Sequence, residues 1–521
     1  MSDGSNPRSV LGNAAWNAFG TLFNIAITFL LAPLLIHRLG VDQWGLLLLV
    51  WSLAGVLGVA NFGFGEATLR FVAHHHAAGN LVAVNRVVGA TLTYYVSVCA
   101  LIIGAMWVGA PYVAQWVKAP TASSQTVEWL VRLTALLFAL AMLANAFRAI
   151  PMAMHRYDIT NKVGTVQGAT RSVGLILLVL AHLDVLYLVV WEIALACIAL
   201  VVQAVIARRM MPGLRCLPSL SLAGIREIVG YSLFSFATHL FLMAWREGPK
   251  LMLGARLGTA SVAYLGTPDS VSNRLHMIFV SAIETLVPRF SGTDERDASR
   301  NLLMSATWAA FACVAVFYVP LAVLMPDFLR LWISREFAAE AGLVGQILTL
   351  SLVGPAGYAA IATLFRGIGK PGFVTAVMAA VAVIVLAMSV LLAPALGVTG
   401  VAWAYLLGTV VWLVGLVHGW YWLYGRRSLG GLARVAGLPL LVSGCLTIIH
   451  ATLRSWWGEP GWIGLFTMGA AFAAIGVLAL VAVEHLLPGS SPAKLVVAKV
   501  FDSRRFVALR KRMGSPLERA A

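Results

Sequence analysis

The chain has 521 residues, of which 60% are hydrophobic and only 11% are charged, and its mean hydropathy is +0.87. A soluble globular protein has about 25% charged residues, so this composition excludes an ordinary soluble domain. The formal net charge is +16, but the Lys and Arg residues are scattered between apolar runs and are not gathered on one polar segment. We therefore expect a membrane protein without a nucleic-acid partner.

Long apolar runs predict an all-α polytopic membrane protein, because a membrane core about 30 Å thick takes roughly 20 apolar residues per helix. Strands of a membrane barrel would alternate with period two, and these runs do not. About fourteen transmembrane helices are predicted in this way. They lie at about 14–36, 44–65, 87–110, 129–150, 163–182, 184–207, 228–250, 262–287, 301–324, 342–365, 372–393, 398–424, 435–454 and 461–487.

The distribution of basic residues predicts the orientation of the chain. The tails and the loops that begin near 66, 148, 208, 288, 366 and 425 hold roughly 27 of the 37 Lys and Arg residues, and the opposite loops hold about 8. Loops that face the cytoplasm carry an excess of Lys and Arg. We expect a multi-pass protein of the bacterial inner membrane with both termini in the cytoplasm.

Short matches at a constant offset of 218 residues indicate an internal repeat. They pair Arg38-Leu39-Gly40 with Arg256-Leu257-Gly258, Glu66 with Glu284, and Phe147-Arg148 with Phe365-Arg366. Two homologous six-helix lobes of even span number have the same orientation, so a pseudo-two-fold axis along the membrane normal should relate them. The predicted parts are an N-lobe (1–217), a C-lobe (218–430), two additional helices (431–487) and a basic cytoplasmic tail (488–521).

Charged side chains inside the predicted spans are candidate functional residues, because an ionised group at membrane depth is costly unless it faces water or a partner. Spacings of four, three and four residues place one set on a single face of the seventh span. The candidates for a cationic substrate-binding cavity are His239, Arg246 and Lys250 in the seventh span and Arg274 and His276 in the eighth. In the alternative interpretation, Arg246 pairs with Glu247 or extends with Lys250 to the membrane interface.

A second set of charged residues lies at the cytoplasmic helix ends and suggests a gate or a latch between the lobes. Glu66 and Arg70 form an i, i+4 pair, and Glu284 with Arg289 repeats it after one inserted residue. The predicted gating residues are Glu66, Arg70, Glu284, Arg289, Arg148 and Arg366. The alternative is that these residues only anchor helix ends and form weak surface pairs.

The sequence has no GxSxG, HExxH or GxxxxGK[ST] signature, so we predict neither catalytic residues nor a cofactor. His74, His75 and His76 are consecutive. Neighbouring side chains on a helix point about 100° apart, which makes a poor metal site. No metal is expected, and the protein is predicted not to be an enzyme.

Three segments carry a family resemblance: NAAWNAFGTLFN in the first span, PLLIHRLGVDQWGLL into the second, and ANFGFGEATLRFVAHHHAAGN after it. With them, the chain resembles the polysaccharide and O-antigen repeat-unit flippases of the multidrug/oligosaccharidyl-lipid/polysaccharide (MOP) exporter superfamily. The resemblance implies alternating-access transfer of an undecaprenyl-diphosphate-linked oligosaccharide from the cytoplasmic to the periplasmic leaflet. It further implies coupling to an H⁺ or Na⁺ gradient, contact with membrane lipids, and cooperation with a polysaccharide polymerase and other assembly proteins.

Other functions stay open at this point. A lipid II flippase would differ only in its substrate. An ion-coupled drug exporter of the MATE type has the same architecture but usually exposes acidic cavity residues, and these spans hold few. A membrane glycan polymerase or ligase typically needs a large periplasmic loop, and the longest candidate loops, near 111–128 and 325–341, have only about 17 or 18 residues.

The orientation is testable with a topology reporter. A phosphatase or fluorescent reporter fused after residue 425 should report a cytoplasmic location, because that loop carries consecutive Arg residues. A periplasmic signal from this fusion would overturn the predicted orientation.

Overall fold

The computed structural model describes residues 29–219, 222–284, 296–456 and 458–486. All regular elements in these ranges are helices. In chain order they are α1 (Phe29–Leu39), α2 (Val41–Leu57), α3 (Phe64–Ala77), α4 (Leu81–Trp116), α5 (Ser124–Ala153), α6 (Tyr157–Leu180), α7 (Val185–Met210), α8 (Leu222–Arg256), α9 (Thr259–Glu284), α10 (Arg296–Cys313), α11 (Val319–Trp332), α12 (Arg335–Ser351), α13 (Val353–Gly367), α14 (Pro371–Tyr424), α15 (Leu429–Leu432), α16 (Leu438–Trp456) and α17 (Trp462–Leu486). Most of the first predicted span and the basic tail lie outside the described residues.

The predicted all-α membrane architecture is confirmed. Ten helical stretches within the described ranges are long and apolar enough to cross a membrane. One of them, α14, has 54 residues and contains a break at Gly397, where φ is 61°, so the predicted spans 372–393 and 398–424 meet there. Helices α1, α8 and α9 occupy the positions of the first, seventh and eighth predicted spans.

Two connections are shorter than the sequence indicated. Helix α4 continues past Pro111 to Trp116 before α5 begins at Ser124. Helix α11 ends at Trp332 and α12 begins at Arg335. Hydropathy marks only the part of a helix that lies in the membrane core, so it ends a span before the helix itself ends. Neither connection has room for a separate domain between the helices.

The contacts divide the chain into two compact units. The division falls between Thr267 and Pro268, and the segment Ser389–Val401 belongs with the first unit. Helix α8, the seventh predicted span, packs on α2, α3 and α4 within this first unit. The two homologous lobes proposed from the repeat rest on sequence matches and stay a prediction.

The glycine of the repeated Arg-Leu-Gly segment has a positive φ at both of its positions. Gly40 has a φ of 86° and Gly258 a φ of 98°, a region that other residues enter only at a cost. Each glycine is followed directly by a helix, which begins at Val41 in one case and at Thr259 in the other. The glycine of this motif therefore separates two successive helices in each half of the chain.

Hydrogen bonds join the N-terminal parts of α2 and α9. Thr259 Oγ1 donates to Asp42 Oδ1 at 2.9 Å, and Trp44 Nε1 donates to Thr267 Oγ1 at 2.9 Å. Gly45 follows Trp44, and a Cβ atom there would overlap the carbonyl group of Thr259. The missing side chain therefore lets the two helices approach closely, as small residues do in membrane proteins.

In the second unit, ion pairs fasten the last two helices. Asp327 of α11 accepts hydrogen bonds from Arg454 of α16. Arg330 donates to the carbonyl oxygen of Pro460 at 2.6 Å and lies 3.4 Å from Glu459, just before α17. Charged groups at one end of the unit therefore hold the two C-terminal helices against α11.

The contact at Gly45 yields a prediction about stability. Gly45→Ala should lower the free energy of unfolding by about 1–3 kcal/mol, because the new methyl group meets backbone and not a flexible side chain. Gly104→Ala is the matched control, since no atom lies within 4 Å of a Cβ there, and it should be neutral or slightly stabilising. Thermal unfolding in detergent measures both variants, and equal midpoints would contradict the close contact.

Candidate functional site

An ion pair joins Arg171 of α6 to Glu192 of α7. Arg171 Nε and Nη2 donate to Glu192 Oε1 at 2.9 and 2.6 Å. Trp51 Nε1 of α2 lies 3.1 and 3.3 Å from the two oxygens of the same carboxylate. The Glu192 side chain is 6% exposed, whereas that of Arg171 is 42% exposed. The carboxylate is therefore enclosed by its donors, while the guanidinium group keeps an accessible face.

The ring of Trp51 also orients the guanidinium group. The Arg171 Cζ atom lies 4.7 Å from the centroid of this ring, within the range of a cation–π interaction. Trp44 meets Trp51 edge to face, with ring centroids 5.7 Å apart. Trp51 thus contacts both members of the ion pair and is itself supported by a second tryptophan.

A second ion pair lies on α8, where Lys250 Nζ donates to Glu247 Oε2 at 3.2 Å. Both side chains are largely buried, with 13% and 14% exposed. A Cβ atom on Gly55 of α2 would lie 3.3 Å from Glu247 Cγ, so the absence of a side chain at Gly55 admits this pair. The contact brings the acidic member of the pair against α2.

The two ion pairs pack against one face of α2, because Trp51 and Gly55 are four residues apart, about one helical turn. We call Arg171, Glu192, Glu247 and Lys250 the charged band. It contains two cations and two carboxylates, and each cation has a carboxylate partner. Such pairing is what allows ionised groups to lie within membrane-spanning helices.

The structure brings together two predicted site residues that were assigned different roles. His239 Nε2 of α8 lies 3.3 Å from Glu66 Oε1 of α3, with the side chains 47% and 55% exposed. His239 was predicted for the cavity and Glu66 for the gate. The pair lies beside the break between α2 and α3, where Phe62 and Gly63 are left-handed. The Phe62 ring packs 4.1 Å from that of Phe236 on α8.

The remaining predicted residues of α8 are partly buried. Arg246 and Lys250 are both of intermediate exposure. The sequence alternative paired Arg246 with Glu247, and the structure gives Glu247 an ion pair with Lys250. Of the three residues predicted on α8, Lys250 is therefore part of the charged band.

In the second unit, the predicted residues Arg274 and His276 have different environments. His276 is buried, and its Nδ1 lies 3.0 Å from Tyr318 Oη. Tyr318 closes a π-helical turn, Val314–Tyr318, a feature often found at functional sites. Arg274 is half-buried, and within the described ranges it forms neither a hydrogen bond nor an ion pair.

The predicted gating residues are only partly described. Arg70, Arg148 and Arg366 are exposed, and Arg366 Nε donates to the carbonyl oxygen of Ala362 at 3.4 Å. Glu284 is the last residue of α9, but its side chain and Arg289 lie outside the described residues. A pair between those two residues therefore stays a prediction.

Arg171 and Glu192 are not among the residues predicted from the sequence. Each is an isolated charge within an apolar run, and the rule that identified Arg274 applies equally to both. Helical spacing within one segment identified the charged residues of α8. Arg171 and Glu192 lie on two different helices, so no such spacing relates them. In the described ranges, no group of three His, Cys, Asp or Glu residues is arranged to hold a metal ion.

The described part of the chain is an all-helical membrane protein whose helices carry paired charges. The family model described as "Polysaccharide biosynthesis protein" matches residues 10–293. Because the match spans more than half of the sequence, the chain belongs to the polysaccharide biosynthesis protein family. No curated protein matches the chain in sequence.

Solved structures share the fold at low sequence identity. Lipid II flippase MurJ in an inward closed conformation has a TM-score of 0.70 and 10% identity, over 89% of this chain and 98% of that one. An inward-facing multidrug resistance MATE family transporter of the MOP superfamily has a TM-score of 0.59 and 16% identity, over 78% and 94%. A Vibrio cholerae MATE transporter has 0.54 and 15%, over 80% and 98%. At these identities the similarity concerns the fold alone.

The pairing of Arg171 with Glu192 predicts a compensation between two substitutions. Glu192→Gln should lower the free energy of unfolding by about 1–3 kcal/mol, because it leaves the guanidinium group without its carboxylate. Adding Arg171→Gln should restore most of the loss, since the double variant has no unpaired charge. Thermal unfolding in nanodiscs measures the cycle, and purely additive losses would show that the two residues do not interact.

Proposed function

We propose that this protein is a flippase that transfers an undecaprenyl-diphosphate-linked oligosaccharide repeat unit from the cytoplasmic to the periplasmic leaflet by alternating access. The membership in the polysaccharide biosynthesis family and the MOP transporter fold support this proposal. The product serves exopolysaccharide or O-antigen synthesis. The protein is then a transporter and not an enzyme, located in the bacterial inner membrane with both termini in the cytoplasm.

The observation that carries the proposal is the accessible face of Arg171 at membrane depth. The side chain is 42% exposed although its carboxylate partner is buried. A guanidinium group binds phosphate oxygens through parallel hydrogen bonds, and such bonds are stronger than those between neutral groups. Among the described cations inside the spans of the first unit, Arg171 therefore best suits a diphosphate.

An exchange of partners would let the substrate bind here. A diphosphate oxygen replaces Glu192 Oε1 as the acceptor for Arg171, and Glu192 is left in a buried position beside Trp51. Glu192 then needs a new partner, because a carboxylate that loses its cation inside a protein is strongly disfavoured. Coupling of transport to an H⁺ or Na⁺ gradient stays part of the proposal. An equivalent exchange at Glu247 and Lys250 would use the second ion pair.

The other predicted cations are proposed to contact the same class of substrate. Arg246 and Arg274 are partly buried side chains of α8 and α9, and each can supply countercharge to the diphosphate or to acidic sugars. His239 and His276 can donate hydrogen bonds. The residues Glu66, Arg70, Arg148, Arg366, Glu284 and Arg289 remain the proposed gate.

A lipid II flippase is the second candidate. The fold similarity to lipid II flippase MurJ, with a TM-score of 0.70, favours it, and lipid II would present the same diphosphate to Arg171. A MATE-like exporter is less well supported, because each described carboxylate of the charged band already has a cationic partner. A glycan polymerase or ligase would need a longer loop than α4–α5 or α11–α12 provides.

The neutral double variant Arg171→Gln with Glu192→Gln tests the proposal. It removes the phosphate-binding group without leaving an unpaired charge, so the protein should reach the membrane at its normal level. We expect polysaccharide export to fall more than about tenfold, as expected for the loss of a charge-assisted contact. Arg246→Ala combined with Arg274→Ala should have a similar effect. Surface polysaccharide is measured in a strain that lacks the chromosomal copy.

Arg86→Gln is the matched control, because Arg86 is an exposed cation near the start of α4, and its export should be unchanged. Unchanged export in both double variants at normal protein levels would contradict the proposed site. Proteoliposomes given either a labelled repeat-unit lipid or labelled lipid II then separate the two candidate substrates. Faster transfer of lipid II would replace the first candidate with the second.

A further inference from the structure

A groove runs along the surface of the first unit between α6 and α7, and it has a volume of about 320 Å³. Its apolar lining includes Val163 and Val166 of α6 and Leu195, Ile198 and Val202 of α7. The spacings of three, four and seven residues place each set on one helical face. Two apolar stripes therefore face each other across the groove within candidate membrane spans.

The burial of the lining residues gives the groove a floor and walls. Leu195 and Ala199 are 7% and 9% exposed and form the floor. Val166 and Ile198 are 62% and 57% exposed and form the rims. The α6 residues of the lining extend from Lys162 to Thr170, about 12 Å at 1.5 Å per residue. One leaflet of a 30 Å hydrocarbon core is about 15 Å thick, so the groove matches most of one leaflet.

One end of the groove is basic. Lys162 lines it near the start of α6, and Arg209 lies two turns beyond Val202 on the same face of α7, close to that helix's end. The two helices are antiparallel neighbours joined by a short turn, so these cations lie at the same end. Both side chains are exposed. The opposite end of the lining carries Thr170, next to Arg171 of the charged band.

We propose that this groove is a binding site for an anionic phospholipid of the surrounding bilayer. One acyl chain lies along the apolar lining, and the phosphate group contacts Lys162 and Arg209. The phosphate of a zwitterionic phospholipid is already balanced by its own choline or amine, whereas an anionic phospholipid brings a net negative charge to these two cations. Basic pockets between membrane helices characteristically bind anionic headgroups. The bound lipid would join α6 to α7 beside the ion pair of Arg171 and Glu192. This proposal does not depend on the identity of the transported substrate.

Native mass spectrometry of the detergent-purified full chain tests the site. The protein is titrated with phosphatidylglycerol and with phosphatidylcholine of identical acyl chains. The unmodified protein should retain phosphatidylglycerol more tightly. Lys162→Gln and Arg209→Gln should each weaken this binding about fivefold and leave phosphatidylcholine unaffected, because each cation contributes a comparable surface attraction. Arg86→Gln, which removes an exposed cation elsewhere, should change neither affinity.

A second pair of variants tests the apolar part. Val166→Trp fills the groove and should weaken the binding of both lipids, whereas Val173→Trp, at an exposed position of the same helix outside the lining, should not. Equal retention of the two lipids by the unmodified protein would overturn the proposal, as would equal effects of Lys162→Gln and Arg86→Gln. Displacement of phosphatidylglycerol by equimolar undecaprenyl phosphate would assign the groove to a polyprenyl chain instead.

Discussion

An ionised side chain within membrane-spanning helices needs a partner, and in the first unit this requirement determines which helices are linked. Arg171 on α6 pairs with Glu192 on α7, and Trp51 on α2 binds both. Glu247 and Lys250 pair on α8 and pack where Gly55 of α2 has no side chain. Polar contacts thus specify an arrangement of helices that lipid-like apolar surfaces alone would leave open.

Helix α2 is central to this arrangement because of its small and amphipathic residues. Because Gly45 and Gly55 have no side chains, α9 and α8 can pack closely against α2. Trp44 and Trp51 each combine an apolar ring with an indole N–H group that donates a hydrogen bond. The helix then breaks after Leu57, where Phe62 and Gly63 take left-handed conformations before α3 begins. Glu66 and His239 meet beside this break. Packing and ion pairing of α8 therefore extend along α2 and onto α3.

Much of the fold could be predicted from the sequence, because the length and hydropathy of an apolar run identify a membrane span. Within the described ranges every predicted segment overlaps helical structure, although 342–365 crosses the junction between α12 and α13 and 44–65 crosses the break before α3. Gly40 and Gly258 both have a positive φ. Helix ends were less predictable, since α4 continues through Pro111 beyond its apolar run. Hydropathy indicates whether a segment lies in lipid or in water, but it does not mark the residue at which the backbone hydrogen bonding of the helix ends.

The candidate site was less predictable than the fold. The stripe on α8 follows from helical spacing within one segment, and two of its cations are partly buried as expected for an interior face. The pairing of Arg171 with Glu192 depends on two helices that approach each other, and no periodicity within either helix encodes that approach. The same holds for His239 and Glu66, which are 173 residues apart in sequence.

The pairing of the band's cations has a consequence for any anion that uses them. An unpaired cation in a medium of low polarity would attract an anion strongly, and strong attraction would hinder its release. When a cation already has a carboxylate partner, binding a phosphate replaces one ion pair with another. The net gain in free energy is then only the difference between two similar interactions. That difference is small enough to reverse when the conformation around the ion pair changes. A transporter must release what it binds, so paired cations such as Arg171 and Lys250 suit that task better than isolated ones.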